Sequence, residues 1–298
     1  MTGTATTITR TYSLLGSCVT IHGIETATTL AERLDALLGP CVAAPSRASH
    51  SNGVTLTLQH EDAVWRVFGS DERSETPLYS EEHVAQVVES LAYGEAIRHA
   101  ALPLILHSGA VVRDGIAVLL PNVSGAGKTT LTLALAARGW LPLTDDICPL
   151  RERDGELVAV GCQRCCHLSA ASLAALDAHG AMLEGLVANL DTYYRPRQWG
   201  TPAPVRAIVI PRYLADSPTR FDPVTQAECL GQLTSMMFAQ SVYPGYARRV
   251  AASRLAAEVP GFTLTYSTLD EALDVFERLR QRLSADRSSD DDAHHAGV

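Results

Sequence analysis

The chain of 298 residues has no excess of positive charge, since 24 lysine and arginine residues face 33 aspartate and glutamate residues for a formal net charge of −9. Neither a nucleic acid nor an anionic membrane is therefore an expected partner, because both select basic surfaces. The sequence also lacks an apolar run of about eighteen residues, the length that marks a membrane-spanning helix. Its opening segment, MTGTATTITRTYSLLG, lacks the apolar core of a signal peptide. We therefore expect a cytoplasmic protein.

The cysteines do not indicate a disulfide framework, because there are seven of them, an odd number, in a long chain. Cys162, Cys165, Cys166 and His167 lie close together and suggest a zinc site. A structural zinc site needs four ligands, however, and no second Cys or His pair follows at finger-like spacing. The segment favours small, partly buried thiols over a metal site.

The chain does contain a strand–loop–helix stretch from Gly115 to Gly139. The apolar run 116–120 is short and aliphatic, which predicts a buried parallel strand. The segment NVSGAGKT follows, and after it an apolar-periodic helix that ends at Arg138-Gly139. This order is the context that a phosphate-binding loop requires.

The loop carries the groups that a nucleoside triphosphate needs. Gly125 and Gly127 allow backbone N–H groups to turn inward around a polyphosphate, and the helix N-terminus adds a favourable dipole. Lys128 can bind the β- and γ-phosphates, and the Thr129 hydroxyl can bind Mg²⁺, so ATP and Mg²⁺ are the expected cofactors. The first glycine of the G-x-x-x-x-G-K-[ST] pattern is replaced by asparagine, which tolerates positive φ better than other non-glycine residues. The predicted nucleotide-binding residues are Asn122, Ser124, Gly125, Ala126, Gly127, Lys128, Thr129 and Thr130.

A pair of carboxylates follows the helix. Residues 140–144 predict another short strand, and Asp145-Asp146 stands at its carboxyl end. In a doubly wound sheet, ligands bind beyond the carboxyl ends of the strands, so the pair should face the phosphates. One carboxylate can hold Mg²⁺, and the other can accept a proton from an attacking hydroxyl.

These residues resemble the catalytic core of the HPr kinase/phosphorylase family and its HPr-kinase-like relatives. The resemblance lies in His107, in Ser124 to Thr129, in Arg138-Gly139 and in Asp145-Asp146. It implies an α/β fold with a P-loop, HPr-kinase-like (PEP-carboxykinase-like) core. It further implies Asp145 as catalytic base beside Lys128, with Asp146 and Thr129 at the metal.

The resemblance has a limit downstream of the aspartate pair. The glycine-rich signature of HPr kinases is absent there, so HPr itself is not implied as the acceptor. Looser relatives include kinases that phosphorylate a serine of lasso-peptide precursors. His107 is predicted at the end of a strand over 102–106, where it could hydrogen-bond Asp145 or a phosphate oxygen; a buried structural histidine is the alternative.

Three regions are predicted: an accessory α+β domain over 1–100, a catalytic domain over 101–284, and a disordered acidic tail over 285–298. The first contains no motif that indicates chemistry. Its expected elements are a strand over 17–24, a helix over 28–38, a loop over 45–53, a hairpin of 54–59 and 63–68, and a long helix starting at Ser80.

The second region continues after the aspartate pair with a hairpin turning at Asp154-Gly155. Further elements are expected as a helix from Ser169 to about 188, a polar loop over 191–197, a strand over 205–210, and helices over 227–238 and 269–283. Arg195 and Arg197 are candidates to bind phosphates or an acceptor carboxylate, because guanidinium suits both. A solvated face is an equally open interpretation of these arginines.

The sequence thus predicts a kinase that uses ATP and Mg²⁺, with serine or threonine of a peptide or small protein as the favoured acceptor. A small-molecule alcohol is the alternative within this class. The alternative from another class is a P-loop ATPase that acts as a conformational switch, although no separate strand of four apolar residues precedes the acid. Association into a homo-oligomer stays open.

Overall fold

The computed structural model describes residues 6–25, 29–38, 53–69, 77–181, 183–185 and 192–295. These residues form a mixed α/β protein with a sheet of four strands, a sheet of three strands and a sheet of eight strands. No helix among them has both the length and the apolar character needed to cross a membrane. Most of the predicted loop over 45–53 lies outside the described residues.

The first sheet belongs to the N-terminal region and has the order β1-β2-β3-β4. Its strands are β1 (Thr7–Leu14), β2 (Ser17–Glu25), β3 (Gly53–Glu61) and β4 (Val64–Phe68), and its helices are α1 (Leu30–Leu38) and α2 (Glu81–His99). The predicted strand, helices and hairpin are present here, whereas β1 was not predicted. The helix α2 starts where the sequence indicated, because the Ser80 side chain accepts a hydrogen bond from the backbone N–H of His83 at 3.2 Å.

The large sheet has the order β14-β15-β13-β6-β5-β8-β9, and β7 pairs with β5 beside this path. Its strands are β5 (Leu104–Arg113), β6 (Ile116–Pro121), β7 (Leu141–Thr144), β8 (Ile147–Arg153), β9 (Glu156–Ala159), β13 (Ala203–Tyr213), β14 (Arg220–Pro223) and β15 (Gly261–Tyr266). The small sheet contains β10 (Cys166–His167), β11 (Leu183–Gly185) and β12 (Tyr193–Pro196). The remaining helices are α3 (Lys128–Ala134), α4 (Ala170–Ala178), α5 (Gln226–Ser235), α6 (Gly245–Glu258) and α7 (Leu269–His295).

The strand β6 is buried along its whole length because helices cover both faces of the sheet. Ala117 and Leu119 belong to one hydrophobic cluster with residues of α5 and α6. Val118 and Leu120 belong to another cluster with residues of α3 and α7. Neighbouring residues of a strand point to opposite faces, so this one strand links the two layers of the core.

The direction of the strands determines which loops meet. Both β6 and β15 run parallel to β13, whereas β5 runs antiparallel to β6 and to β7. The large sheet is therefore mixed and not an all-parallel doubly wound sheet. The carboxyl ends of β6, β7, β13 and β15 nevertheless lie at one edge, which is where the predicted loop and aspartate pair follow their strands.

Three predictions of secondary structure are wrong. The helix α4 ends at Ala178, short of 188, because the chain turns at Gly180 with φ +69° and then forms β11. The described part of the polar loop over 191–197 contains the strand β12, which pairs with β10 and β11. The helix α7 runs to His295, past its predicted end at residue 283, since neither glycine nor proline interrupts it before Gly297.

The N-terminal region and the large sheet share buried contacts. The hydrophobic cluster of the N-terminal region extends to Ile105, Ile147, Cys162 and Cys165. A domain boundary near residue 100 stays a prediction, and the N-terminal region packs directly beside the predicted site.

Candidate active site

The predicted phosphate-binding loop connects β6 to α3. Gly125 and Gly127 have φ values of +82° and +85°, which side chains rarely allow. A Cβ atom on Gly127 would lie 2.6 Å from the Tyr266 hydroxyl oxygen, so this position also excludes a side chain by contact. The backbone of the loop thus depends on the glycines that the motif supplies.

Asn122 does not replace the first glycine of the motif by adopting positive φ, as the sequence suggested. It is not among the residues with positive φ. Its side-chain amide donates a hydrogen bond to the Pro211 carbonyl at 2.6 Å, and its Oδ1 accepts one from the backbone N–H of Val123 at 2.8 Å. The asparagine therefore fastens the start of the loop to β13, which glycine could not do.

Lys128 is the only lysine in the sequence. Its side chain is only 5% exposed, and its Nζ donates a hydrogen bond to the Val123 carbonyl across the loop at 2.9 Å. Burial lowers the pKa of Lys128, although the carboxylates of Asp146 and Asp145 oppose this change. The ammonium group is thus held at the loop, close to two carboxylates.

Asp145 is buried at the carboxyl end of β7, with 6% of its surface exposed. Its Oδ2 accepts a hydrogen bond from the Thr129 hydroxyl at 3.0 Å, and its buried Oδ1 accepts none from an N–H or O–H group of the described residues. Burial raises the pKa of Asp145 to about 6, with a further contribution from the charge of Asp146. One oxygen of this carboxylate is therefore buried without an N–H or O–H donor in the part of the chain that the structure describes, and a hydrogen bond from the Cys166 thiol to the carboxylate partly opposes the rise in its pKa.

Asp146 has partners on both oxygens. His107 Nε2 lies 2.8 Å from Oδ1, and Arg164 Nη1 donates a hydrogen bond to Oδ2 at 2.5 Å. Burial alone would raise the pKa of Asp146, but the His107 hydrogen bond and the Arg164 charge outweigh burial and lower it. The two neighbouring aspartates thus have pKa values shifted in opposite directions, a pattern typical of sites with distinct acid–base roles.

The sequence predicted His107 at the end of a strand, but the structure places it inside β5. Residues 104–107 pair with β8, and residues 108–113 pair with β6, so the histidine sits where β5 changes neighbours. The backbone N–H of Ser108 donates to the Asp146 carbonyl at 2.9 Å. This bond brings the aspartate pair against β5 and explains why His107 contacts Asp146 and not Asp145.

Arg164 was missed by the sequence analysis, which considered its segment only for the thiols. Its guanidinium donates two hydrogen bonds to Glu89 of α2, at 2.6 and 2.9 Å, besides the one to Asp146. The guanidinium carbon also lies 5.4 Å from the centre of the Tyr93 ring. Glu89 is 3% exposed, so Arg164 links a buried carboxylate of the N-terminal region to the aspartate pair.

A cavity of about 440 Å³ brings most of these groups together. Its lining includes His107, Ser124, Gly125, Gly127, Lys128, Thr129, Thr130, Asp145, Asp146, Arg164, His167 and Tyr193. Of the predicted nucleotide-binding residues, Asn122 and Ala126 lie outside this lining. The phosphate-binding loop, the aspartate pair and part of the small sheet therefore face one common space.

The two arginines predicted to bind substrate do not line this cavity. Arg195 Nη2 donates to the Ala36 carbonyl at 2.5 Å, which directs the side chain toward α1. Arg197 is exposed beyond the end of β12. Tyr193, which precedes Arg195 by two residues in β12, lines the cavity instead.

The thiols near the site are part of the packing. Cys162, Cys165 and Cys166 are buried, and burial raises the pKa of Cys165 to about 11. The Cys165 thiol lies within hydrogen-bonding distance of the Leu37 carbonyl, at 3.5 Å. Within the described ranges, no group of three or more His, Cys, Asp or Glu residues is arranged to hold a metal ion.

The oxygen atoms at the loop nevertheless fit Mg²⁺. This ion commonly takes one or two carboxylates from the protein and completes its shell with water and substrate phosphates. Thr129 and Asp146 offer such oxygens beside Lys128, and the buried Asp145 lines the same cavity. The Thr129 hydroxyl contacts Asp145, and Asp146 lines the same cavity. Both aspartates therefore lie near the expected metal position.

Comparison with known proteins gives distant likenesses among solved structures alone. No family model matches the chain, and no curated protein matches it. Among solved structures, the Hpr(Ser) kinase/phosphatase from Coxiella burnetii is similar at 15% sequence identity, over 65% of this chain and 98% of that one, with a TM-score of 0.33. A likeness with so low a TM-score carries no argument about this chain, and any assignment of activity depends on the site itself.

Proposed function

We propose that the chain is a phosphotransferase that moves the γ-phosphoryl group of ATP to a hydroxyl group in the presence of Mg²⁺. One observation carries the proposal: Lys128 and Thr129 of a glycine-dependent loop line the same cavity as Asp145 and Asp146. A polyphosphate, a cation and a proton acceptor can thus meet in one space. Cytoplasmic location is part of the same proposal.

The loop would bind the nucleotide through its backbone and through Lys128. The Lys128 ammonium now donates to the Val123 carbonyl at 2.9 Å, and a bound polyphosphate would replace that neutral acceptor with charged oxygens. Thr129 and Asp146 would hold Mg²⁺, which when bound offsets the charge on the β- and γ-phosphate oxygens. Positioning and electrostatics supply most of the rate in such reactions.

Asp145 would act as the proton acceptor. The acceptor oxygen forms a bond to the γ-phosphorus while the bond from that phosphorus to the β–γ bridging oxygen breaks, which leaves ADP. The hydroxyl proton passes to the carboxylate of Asp145, whose pKa near 6 suits proton transfer close to neutral pH. Asp146 is the weaker base of the two because His107 and Arg164 stabilise its anion.

We further propose that the acceptor is serine or threonine of a peptide or small protein. The arginine pair once expected to support this acceptor lies elsewhere, so the support comes from the wall formed by Arg164, His167 and Tyr193. The half-buried Tyr193 ring offers a flat surface beside the aspartate pair, and its edge packs on His167 with ring centres 5.2 Å apart. Phosphorylation of a free small alcohol in place of a peptide would contradict the proposed acceptor.

The single lysine gives a direct test of nucleotide binding. We expect saturating ATP–Mg²⁺ to protect Lys128 from an amine-acylating reagent, as measured by mass spectrometry of the peptide that contains it. Acylation of the N-terminal amine, which is on another peptide, is the internal control and should be unchanged. Equal acylation of Lys128 with and without ATP–Mg²⁺ would contradict the proposed site.

A matched variant completes the test. Lys128→Ala should lose ATP–Mg²⁺ binding in calorimetric titration, whereas Arg153→Ala should retain it because the Arg153 side chain is 75% exposed and away from the loop. Retention of wild-type affinity in Lys128→Ala would contradict the part given to the lysine.

A further inference from the structure

A second cavity of about 410 Å³ adjoins the first one on the far side of the loop. The two cavities share four lining residues: Gly125, Gly127, Thr130 and Ser172. The second is additionally lined by Ala171, Ala175, His179, Tyr213, Tyr266, Ser267 and Leu269, a more apolar set than that of the first. Its volume is within the range of ~300–1,000 Å³ found for small-molecule sites.

Strand register accounts for the two tyrosines in this cavity. Tyr213 and Tyr266 are paired neighbours at the ends of the parallel strands β13 and β15. Because β6 is parallel to β13 as well, the loop after β6 emerges at this same edge. Tyr266 is 2% exposed, whereas Tyr213 is 58% exposed, with ring centres 5.8 Å apart and planes inclined at 67°.

The loop fixes the direction in which a bound nucleotide would lie. Lys128 marks the position of the β- and γ-phosphates, on the side of Asp145 and Asp146. Thr130 and the two glycines form the boundary with the second cavity, so a phosphate chain lying along the loop leads from the aspartates toward the tyrosines. The end of the nucleotide remote from the γ-phosphate would therefore enter the second cavity.

We propose that this second cavity binds the nucleoside part of the nucleotide, with a purine base stacked on the exposed face of Tyr213. This inference rests on the proposed function. Tyr266 supports the position of Tyr213 from behind, while its hydroxyl contacts the loop at Gly127. Exposed aromatic rings beside a polar loop are suited to stacking, because every base presents a flat π-face.

The polar groups of the cavity are few, and one of them is already engaged. His179 Nδ1 lies 2.7 Å from the Ala175 carbonyl, and its Nε2 lies 3.5 Å from an Asp270 carboxylate oxygen. The other polar side chains of the lining carry hydroxyl groups alone, those of Thr130, Ser172, Ser267 and the two tyrosines, and a hydroxyl can donate to or accept from any base edge. We therefore expect ATP and GTP to bind with affinities within about tenfold of each other, as stacking without edge recognition tolerates different bases.

The test compares ATP–Mg²⁺ with tripolyphosphate–Mg²⁺ by calorimetric titration of the full chain. Stacking is worth ~1–3 kcal/mol per base, and ~1.4 kcal/mol corresponds to tenfold in affinity. Tyr213→Ala should accordingly weaken ATP–Mg²⁺ binding about tenfold and leave tripolyphosphate–Mg²⁺ binding unchanged. Tyr246→Ala is the matched control, because Tyr246 is also exposed and lies outside the cavity lining.

The outcomes separate this inference from the function on which it rests. If tripolyphosphate binds the wild-type protein as tightly as ATP, or if Tyr213→Ala binds ATP normally, the nucleoside site is wrong while the phosphate site stands. If neither ligand binds the wild-type protein, both proposals are overturned. A selective loss of ATP affinity in Tyr213→Ala, with Tyr246→Ala unaffected, supports the inference.

Discussion

The two walls of the main cavity are built in different ways. One wall is a continuous segment, Ser124 to Thr130, in which backbone conformation and one buried lysine provide the binding groups. The opposite wall consists of Arg164, His167 and Tyr193, with Glu89 behind them, drawn from segments far apart in the chain. The proposed nucleotide side therefore depends on local sequence, whereas the proposed acceptor side depends on how the N-terminal region packs.

The largest expected effect is on the aspartate between the two walls. Asp145→Asn should lower phosphoryl transfer by ~10²–10⁴-fold, because an amide cannot accept the hydroxyl proton. ATP–Mg²⁺ binding should be largely retained, since the loop wall is intact. Single-turnover transfer and calorimetric titration measure the two parts.

The exposed Asp154→Asn serves as control, because its side chain is 89% exposed in the hairpin between β8 and β9. If Asp145→Asn stays active while Asp146→Asn loses transfer at saturating Mg²⁺, the roles given to the two aspartates are reversed.

The next effect concerns the stability of the opposite wall. Glu89→Gln should reduce the free energy of unfolding by ~1–3 kcal/mol, because the Arg164 guanidinium loses one of its two carboxylate partners and keeps Asp146 alone. Urea denaturation measures this loss. A loss below ~1 kcal/mol would show that Glu89 does not anchor this wall.

The exposed ion pairs of α6 offer a matched control. Arg254 pairs with Glu152 at 2.9 Å and Glu258 at 3.0 Å near the surface. Arg254→Gln should therefore cost only ~0.2–1 kcal/mol.

A pH profile tests whether the opposite wall tunes the aspartates. Protonated Asp145 cannot accept a proton, so kcat/KM should fall as the pH drops through about 6, the pKa of Asp145 in the free enzyme. The Asp146 charge raises that pKa and the Arg164 charge lowers it. Asp146→Asn should thus move the acid limb to lower pH, and Arg164→Gln should move it to higher pH.

The position of the limb is the readout here, because both variants are also expected to lower the rate itself. If the acid limb of kcat/KM did not move in either variant, or moved in the opposite directions, Asp146 and Arg164 would not set the pKa of Asp145 as described.

The smallest expected effect is on acceptor recognition. Tyr193→Phe should raise the KM for the acceptor by less than about tenfold, the scale of one hydrogen bond, and should leave the KM for ATP unchanged. Tyr194→Phe is the neighbouring control, since Tyr194 does not line the cavity. If Tyr193→Phe raised the KM for ATP more than the KM for the acceptor, Tyr193 would belong to the nucleotide side of the cavity, and its proposed role would be wrong.

The sequence could predict the loop wall because its geometry demands particular residues at fixed spacing. Gly125, Gly127 and Lys128 stand within four positions of one another in a motif, and the strand before them is apolar on both faces. Periodicity likewise located α2 and the hairpin of β3 and β4. These features depend on neighbours along the chain.

The opposite wall could not be predicted in this way. Arg164 becomes a site residue only because Glu89, 75 positions away, packs beside it. Arg195 was expected to bind substrate, but helix α1, 159 positions away in the chain, presents the Ala36 carbonyl that accepts its hydrogen bond. Likewise, His107 was placed at a strand end because the change of partners within β5 leaves no mark in local composition.

Phosphoryl mass balance tests the central claim most directly. ADP, inorganic phosphate and phosphorylated acceptor are measured together, with ATP–Mg²⁺ and either serine-containing peptides or free small alcohols. Without an acceptor, the account predicts that little ADP forms. With a serine-containing peptide, it predicts one phosphoserine for each ADP. In Lys128→Ala and Asp145→Asn, the formation of phosphoserine and of its matching ADP should be lost. Transfer to a free alcohol alone would correct the acceptor. ADP and inorganic phosphate formed at the same rate with and without any acceptor would contradict the account, because the protein would then be an ATPase.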